Sequence, residues 1–171
     1  SSGPRRDAHV VYDDRAIRFV GDNGRTPPPE VLRPGQAAPD VSAPDATVLP
    51  GLIDTHWHMW TTLLRNMSGD DRAHGYFPMT TALGKVFTPR DMYYGTLLSS
   101  AEALHSGITT VHNWSHNIVN PEFADAELQA HRMMGHRALF GYGYFGIGMQ
   151  NQTVNVADLE RVNDRWIKPS E

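Results

Sequence analysis

The sequence has no cysteine, only two lysines against thirteen arginines, and no uninterrupted apolar stretch of the roughly 18 residues needed to span a bilayer. Each shortage closes a class. Without thiols there is no disulfide scaffold, no iron-sulfur cluster and no thiolate-ligated metal, so any metal must be held by histidine, carboxylate or a lysine-derived group. Fifteen basic and nineteen acidic residues leave a net charge of -4. That is the wrong sign for a nucleic-acid binder or a protein of anionic membranes, both of which need a concentrated basic surface. No basic-then-apolar leader is present, so the expectation is a soluble, cytoplasmic protein. The arginine excess fits a GC-rich bacterial genome. What the chain does have is histidine, nine in 171 residues.

This length suits one domain, or one and a piece. Residues 1–46 read as part of a small β domain followed by a proline-rich linker. His9-Val10-Val11-Tyr12, a polar turn, and Ala16-Ile17-Arg18-Phe19-Val20 form a strand pair. Seven of the twelve prolines then fall between Pro27 and Pro50, which excludes a helix or a central strand there.

From 47 to 171 the pattern alternates strand and helix. Val48 to Asp54 is a short apolar strand, and Arg65 to Phe87 reads as a long functional loop or lid. Thr88-Pro89-Arg90-Asp91 is a helix start with a hydroxyl cap, proline at the first helical position and a carboxylate three residues on. Tyr94, Leu97, Leu98, Ala101 and Leu104 supply its apolar face and Gly107 its stop. Ile108–Val111 is the second strand, with His112, Asn113 and Trp114 following it. Asn120-Pro121 opens a helix with Phe123, Ala126, Ala130, Met133 and Met134 on one face. Ala138–Tyr144 is the third strand, and Leu159, Val162 and Trp166 mark a third helix. Such alternation implies parallel βαβ units of an α/β protein. An eight-fold barrel needs about 250 residues, so three units are expected to be the front part of a larger barrel that does not close by itself.

The strongest chemical signal is Asp54-Thr55-His56-Trp57-His58 at the carboxyl end of an apolar strand. Side chains on a strand alternate, so His56 and His58 share a face with Asp54 beneath them. Two neutral imidazoles so placed can hold one divalent ion. The carboxyl ends of barrel strands are also where such folds keep their chemistry.

The run Val48-Leu49-Pro50-Gly51-Leu52-Ile53-Asp54-Thr55-His56-Trp57-His58 resembles the first barrel strand of the amidohydrolase superfamily, and Ser106-Gly107-Ile108-Thr109-Thr110-Val111 resembles its second. Leu63-Leu64-Arg65-Asn66 is similar to the signature of its triazine hydrolase, cytosine deaminase and S-adenosylhomocysteine deaminase branch. The resemblance implies a TIM-like (β/α)8 barrel preceded by part of a β-sandwich. It makes His56 and His58 metal ligands and Asp54 the acidic residue beneath them. The cofactor it implies is one divalent metal, zinc or else iron. Further ligands and the proton-shuttling group are expected from later strands. The implied reaction is hydrolysis of an amino- or halo-substituted nitrogen heterocycle by metal-activated water, with a general acid for the leaving group. Hydrolysis of a cyclic or linear amide is the alternative chemistry. A non-catalytic fragment that needs a complementary chain is the alternative class, because an open barrel segment presents unpaired strand edges. A homo-oligomer and a small-molecule substrate are the expected partners.

Trp60, His74, Trp114, His116 and Tyr144 are candidates for the substrate pocket. Trp60 neighbours the ligands, and His74 sits in the lid with Tyr76 and Phe77. Trp114 offers an aromatic wall, while His112 and His116 follow the second strand. Tyr142 and Tyr144 are expected to face the barrel interior, Tyr142 as packing and Tyr144 nearer the pocket. Each has a plainer reading as a packed or hydrogen-bonded residue. His9, His105, His131 and His136 are assigned no function.

Overall fold

β-branched and aromatic residues alternating with polar ones pair at the start of the chain as β1 (His9–Tyr12) and β2 (Ile17–Gly21), antiparallel, with Val10 opposite Val20 and Val11 opposite Phe19. Asp13 closes the turn, its carboxylate accepting the Ala16 N–H at 2.9 Å and pairing with Arg18 at 2.6 Å. The computed structural model describes residues 5–14, 16–22, 24–35, 41–144 and 153–168. It divides between Leu49 and Pro50 into two units, three residues past the boundary expected from the sequence. Among the described residues of the proline-rich segment the only regular piece is a 3-10 turn, Pro29–Val31.

The second unit is a parallel sheet of β3 (Leu52–Trp57), β4 (Ile108–Ile118) and β5 (Arg137–Tyr144), in that order. A 3-10 segment, Met59–Leu64, follows β3 and leads to α1 (Tyr76–Gly84) and α2 (Pro89–His105). Helix α3 (Pro121–Met134) joins β4 to β5, and α4 (Val156–Val162) continues into a wider π-type turn, Asn163–Ile167. This is the mixed α/β architecture with a parallel sheet that the sequence implies. No helix among the described residues is long and apolar enough to cross a membrane.

The cap on α2 forms as its sequence requires. The Thr88 hydroxyl accepts the Asp91 N–H, and the Asp91 carboxylate accepts the Thr88 N–H at 2.8 Å. Gly107 and Gly135 end α2 and α3 with φ of 79° and 72°, a region where a Cβ is strained.

Four expectations need correction. The first strand begins at Leu52 rather than Val48 and carries His56 within it. Residues 76–84, read as loop, are helical, because Met79, Leu83 and Phe87 recur one turn apart and dock on the core of Trp60, Leu64, Met92 and Ile118. The second strand continues seven residues past Val111, since β3 pairs with it as far as Asn113 and β5 as far as Ile118. His112, Trp114 and His116 are therefore strand residues.

The last correction concerns which helix faces are buried. On α2 the enclosed residues are Met92, Gly95, Thr96, Ser99, Ser100 and Ala103, while Tyr94, Leu98 and Leu104 are exposed. Close approach explains the inversion. A Cβ on Gly95 would lie 2.8 Å from the Trp60 carbonyl oxygen, and Ser99 and Ser100 satisfy their hydroxyls on carbonyls one turn back. On α3 the buried set is Phe123, Ala124, Glu127, Leu128, Ala130 and His131, with Met133 outside.

Candidate functional site

Strand alternation builds the site. On β4, Val111, Asn113, Ser115 and Asn117 are buried against the helix layer, which leaves His112, Trp114 and His116 on the opposite face. Parallel pairing sets β3 beside it, and the rings of His56 and His58 meet those of Trp114 and His116 on that face. Asp54 is instead the register partner of Val111, contrary to expectation, because the register shifts between Asp54 and Trp57.

His56 and His58 converge. Their Nε2 atoms are 3.3 Å apart and their rings stand at 78°. His58 Nδ1 lies 2.8 Å from the Trp114 carbonyl oxygen. A carbonyl only accepts, so Nδ1 carries a proton, and in that tautomer of the imidazole it is Nε2 that turns a lone pair towards His56. Facing ring nitrogens at this distance need a proton or a cation between them. Two ligand nitrogens about 2.05 Å from one tetrahedral ion lie about 3.3 Å apart, so the pair fits that group. Asp54 accepts the His56 backbone N–H at 2.9 Å and so fixes the strand end from beneath. Among the described residues no third histidine or carboxylate completes a ligand cluster.

The surroundings of the pair are aromatic. Trp114 stacks on His56 with centroids 4.6 Å apart and planes at 14°, while its indole N–H donates to the Thr55 carbonyl at 3.2 Å. His116 meets His58 edge-on at 4.3 Å. Burial, reinforced by His58, pushes the His116 imidazole down to about 4, so it is neutral at physiological pH. Glycines make the room. A Cβ on Gly143 would lie 2.7 Å from the Ser115 carbonyl and 3.0 Å from His116 Cα, and one on Gly141 3.2 Å from His112 Nε2.

The other candidates fall elsewhere. Trp60 is 1% exposed and belongs to the core, its indole N–H reaching His116 Nδ1 at 3.4 Å. His74 is exposed and held by Asp71 at 2.9 Å, with no contact to the histidine pair. From the same segment it is Tyr76 whose ring approaches His58, at 6.5 Å, and burial pushes its phenol up. Tyr142 faces the helix layer, contrary to expectation, because it shares a face with Ser115, its partner in the register. Its hydroxyl donates to Asp158 of α4 at 2.7 Å. Tyr144 lines a separate hollow of about 220 Å³ with Ile118, Asn120, Tyr142 and Asn155. Arg65 is engaged by Glu102 of α2 through two contacts of 2.6 and 2.8 Å.

Sequence reasoning also missed a polar cluster behind the site. Glu127 of α3 is fully buried and accepts from Asn113 Nδ2 and Ser115 Oγ, both at 2.5 Å. Burial pushes its carboxyl up to about 7 in spite of those bonds. His131 lies 3.0 Å from Asn113 Nδ2 and 3.1 Å from His136 Nε2, and burial first, then His136, pushes it down to about 3. One signal was available: Glu127 and His131 stand four apart, on the helical face of Phe123, Ala124 and Leu128.

Comparison with known proteins places this geometry in context. Residues 47–169 match the model of the amidohydrolase family. The chain is 32% identical over 141 residues to a 5-methylthioadenosine/S-adenosylhomocysteine deaminase of Pyrococcus furiosus, covering 78% of this chain and 29% of that protein. It is 35% identical over 139 residues to the protein of that name from Natronomonas pharaonis, covering 77% and 30%. A third, from Acetivibrio thermocellus, is 35% identical over 82 residues, covering 47% and 19%. The chain thus spans less than a third of the length of these relatives.

Proposed function

The chain belongs to the amidohydrolase family, and from that premise we propose that it is part of a metal-dependent deaminase acting on an aminated nitrogen heterocycle. His56 and His58 would hold one divalent cation, zinc in the first instance, which when bound supplies a water acidic enough to be hydroxide near neutral pH. Every other task described here belongs to side chains. The Nδ1–H bond from His58 to the Trp114 carbonyl keeps the Nε2 lone pair in place, and Asp54 keeps His56 in register. Trp114, 42% exposed, and neutral His116 give a flat aromatic wall suited to a planar ring.

The observation that carries this reading is the 3.3 Å approach of the two Nε2 atoms with a fixed tautomer on one of them. The relatives' names favour loss of a ring amino group over loss of halide or opening of an amide. An adenine-type ring is accordingly the substrate class to test first. On this reading the sheet is the leading part of a (β/α)8 barrel, the β1–β2 hairpin is part of a small β-sandwich, and the remaining ligands and the proton shuttle come from other strands.

The test uses the full-length protein loaded with zinc. Ammonia release is measured from adenosine, 5-methylthioadenosine, S-adenosylhomocysteine and cytosine, and chloride release from a chlorinated triazine. Ammonia from at least one aminated ring, lost in His56→Ala and in His58→Ala, is expected. Turnover that survives either substitution at the wild-type rate refutes the ligand assignment, and chloride release alone refutes the deaminase reading.

A further inference from the structure

The backbone immediately after His58 is gripped from both sides by buried side chains. Met59, fully enclosed, donates its N–H to Asn113 Oδ1 at 3.3 Å, and its carbonyl accepts from Ser99 Oγ at 2.8 Å. The two partners come from different elements, Asn113 from β4 and Ser99 from α2.

Neither partner is free to turn. An amide NH2 only donates, and both hydrogens of Asn113 are taken, one by the Glu127 carboxylate and one by His131 Nε2. His131 must then carry its proton on Nδ1 and donate it to His136 Nε2 at 3.1 Å. The bonding has a single direction, and it leaves Asn113 Oδ1 pointing at Met59. Ser99 has one hydroxyl hydrogen, shared between the Met59 and Gly95 carbonyls at 2.8 Å each, and its oxygen accepts from the Thr62 hydroxyl at 2.6 Å. Ser115 binds the other Glu127 oxygen but has no bond to Met59.

We propose that Asn113 and Ser99 are positioning residues for the His56–His58 pair, clamping the Met59 peptide so that the His58 ring stays opposite His56, with Glu127 and His131 locking the clamp. The proposal rests on the reading of that pair as metal ligands. The clamp acts where the chain leaves β3 for the 3-10 segment, at His58 with φ -92° and ψ 79°. Rotation at this junction swings the imidazole away from its partner. Groups that orient a ligand without touching the ion typically change metal affinity 10- to 100-fold when removed.

The experiment measures zinc affinity by chelator competition, and the visible spectrum of the cobalt(II)-loaded protein, in the full-length protein. The variants are Asn113→Ala, Ser99→Ala, Ser115→Ala and His58→Ala. Asn113→Ala and Ser99→Ala are expected to weaken zinc about 10- to 100-fold and to shift the cobalt absorption. Ser115→Ala, which disturbs the same polar cluster without touching Met59, is expected to leave both at wild-type values. Should Asn113→Ala fail to fold, Ser99→Ala carries the test alone. Wild-type affinity and spectrum in the folded clamp variants, with zinc lost in His58→Ala, overturn the clamp. Equal weakening in Ser115→Ala also overturns it, since the cluster would then be only structural. Wild-type affinity in His58→Ala overturns the ligand assignment, and the clamp with it.

Discussion

Replacing Glu127 with glutamine should flatten the pH dependence of stability. The carboxyl is wholly enclosed, and burial carries it from 4.5 up to about 7. An acid that holds its proton more tightly when folded contributes fully below its unfolded pKa, and that contribution is lost as pH rises through the folded one. Here the window runs from 4.5 to about 7. At about 1.36 kcal/mol per pH unit the loss comes to about 3 kcal/mol. Glutamine fits the same space, its oxygen accepting from Asn113 and its NH2 donating to the Ser115 hydroxyl, and it never ionises. The assay is urea unfolding followed by tryptophan fluorescence at pH 5, 6, 7 and 8, for wild type and variant. His131 and His136, whose imidazoles burial pushes down, titrate in both proteins and cancel in the difference. The variant is expected within about 1 kcal/mol of wild type at pH 5, with the difference moving in its favour by about 2.5 kcal/mol by pH 8. A difference that stays constant from pH 5 to 8 refutes the premise that this carboxyl is shut away from water.

Three further outcomes are expected. Gly143→Ala places a Cβ 2.7 Å from the Ser115 carbonyl and against His116. It should cost about 1 to 3 kcal/mol in thermal unfolding, and an unchanged melting temperature would show that the strand yields freely. Thr88→Ala removes the α2 cap and should cost about 1 kcal/mol; the Asp91 carboxyl, held down chiefly by the Thr88 side chain, should then titrate closer to its ordinary range by NMR. Chelating the divalent metal should lower the melting temperature of the full-length protein and adding zinc back should restore it, whereas identical melts with and without chelator contradict linkage of a bound ion to the folded state.

The parts of the fold that were legible rest on local chemistry. The α2 cap, the glycine stops, the strand pair and the convergence of His56 with His58 follow from residue type and spacing alone. What escaped depends on neighbours. α1 is helical because Met79, Leu83 and Phe87 meet a core the sequence does not display. β4 runs on past Val111 because β3 pairs with it to Asn113 and β5 alone carries it on to Ile118. The buried face of α2 was misjudged because hydrophobicity marks candidates for burial, whereas the depth of contact here favours the smallest side chains. Tyr142 turns to the helices because strand parity puts it there. Glu127 and His131 were overlooked because polar residues are usually exposed, and only the facing Asn113 and Ser115 make their burial tolerable.

The inversion of α2 also alters how the helix should respond to mutation. Its serines and glycine are the fixed points, for an added methyl on that side has nowhere to go. Leu98 and Tyr94 lie on the open side at 44% and 47% exposure. They are replaceable, so hydrophilic substitutions there should improve handling of the isolated chain at little structural cost. A hydropathy profile would give the opposite advice, protecting the leucine and sacrificing the serine.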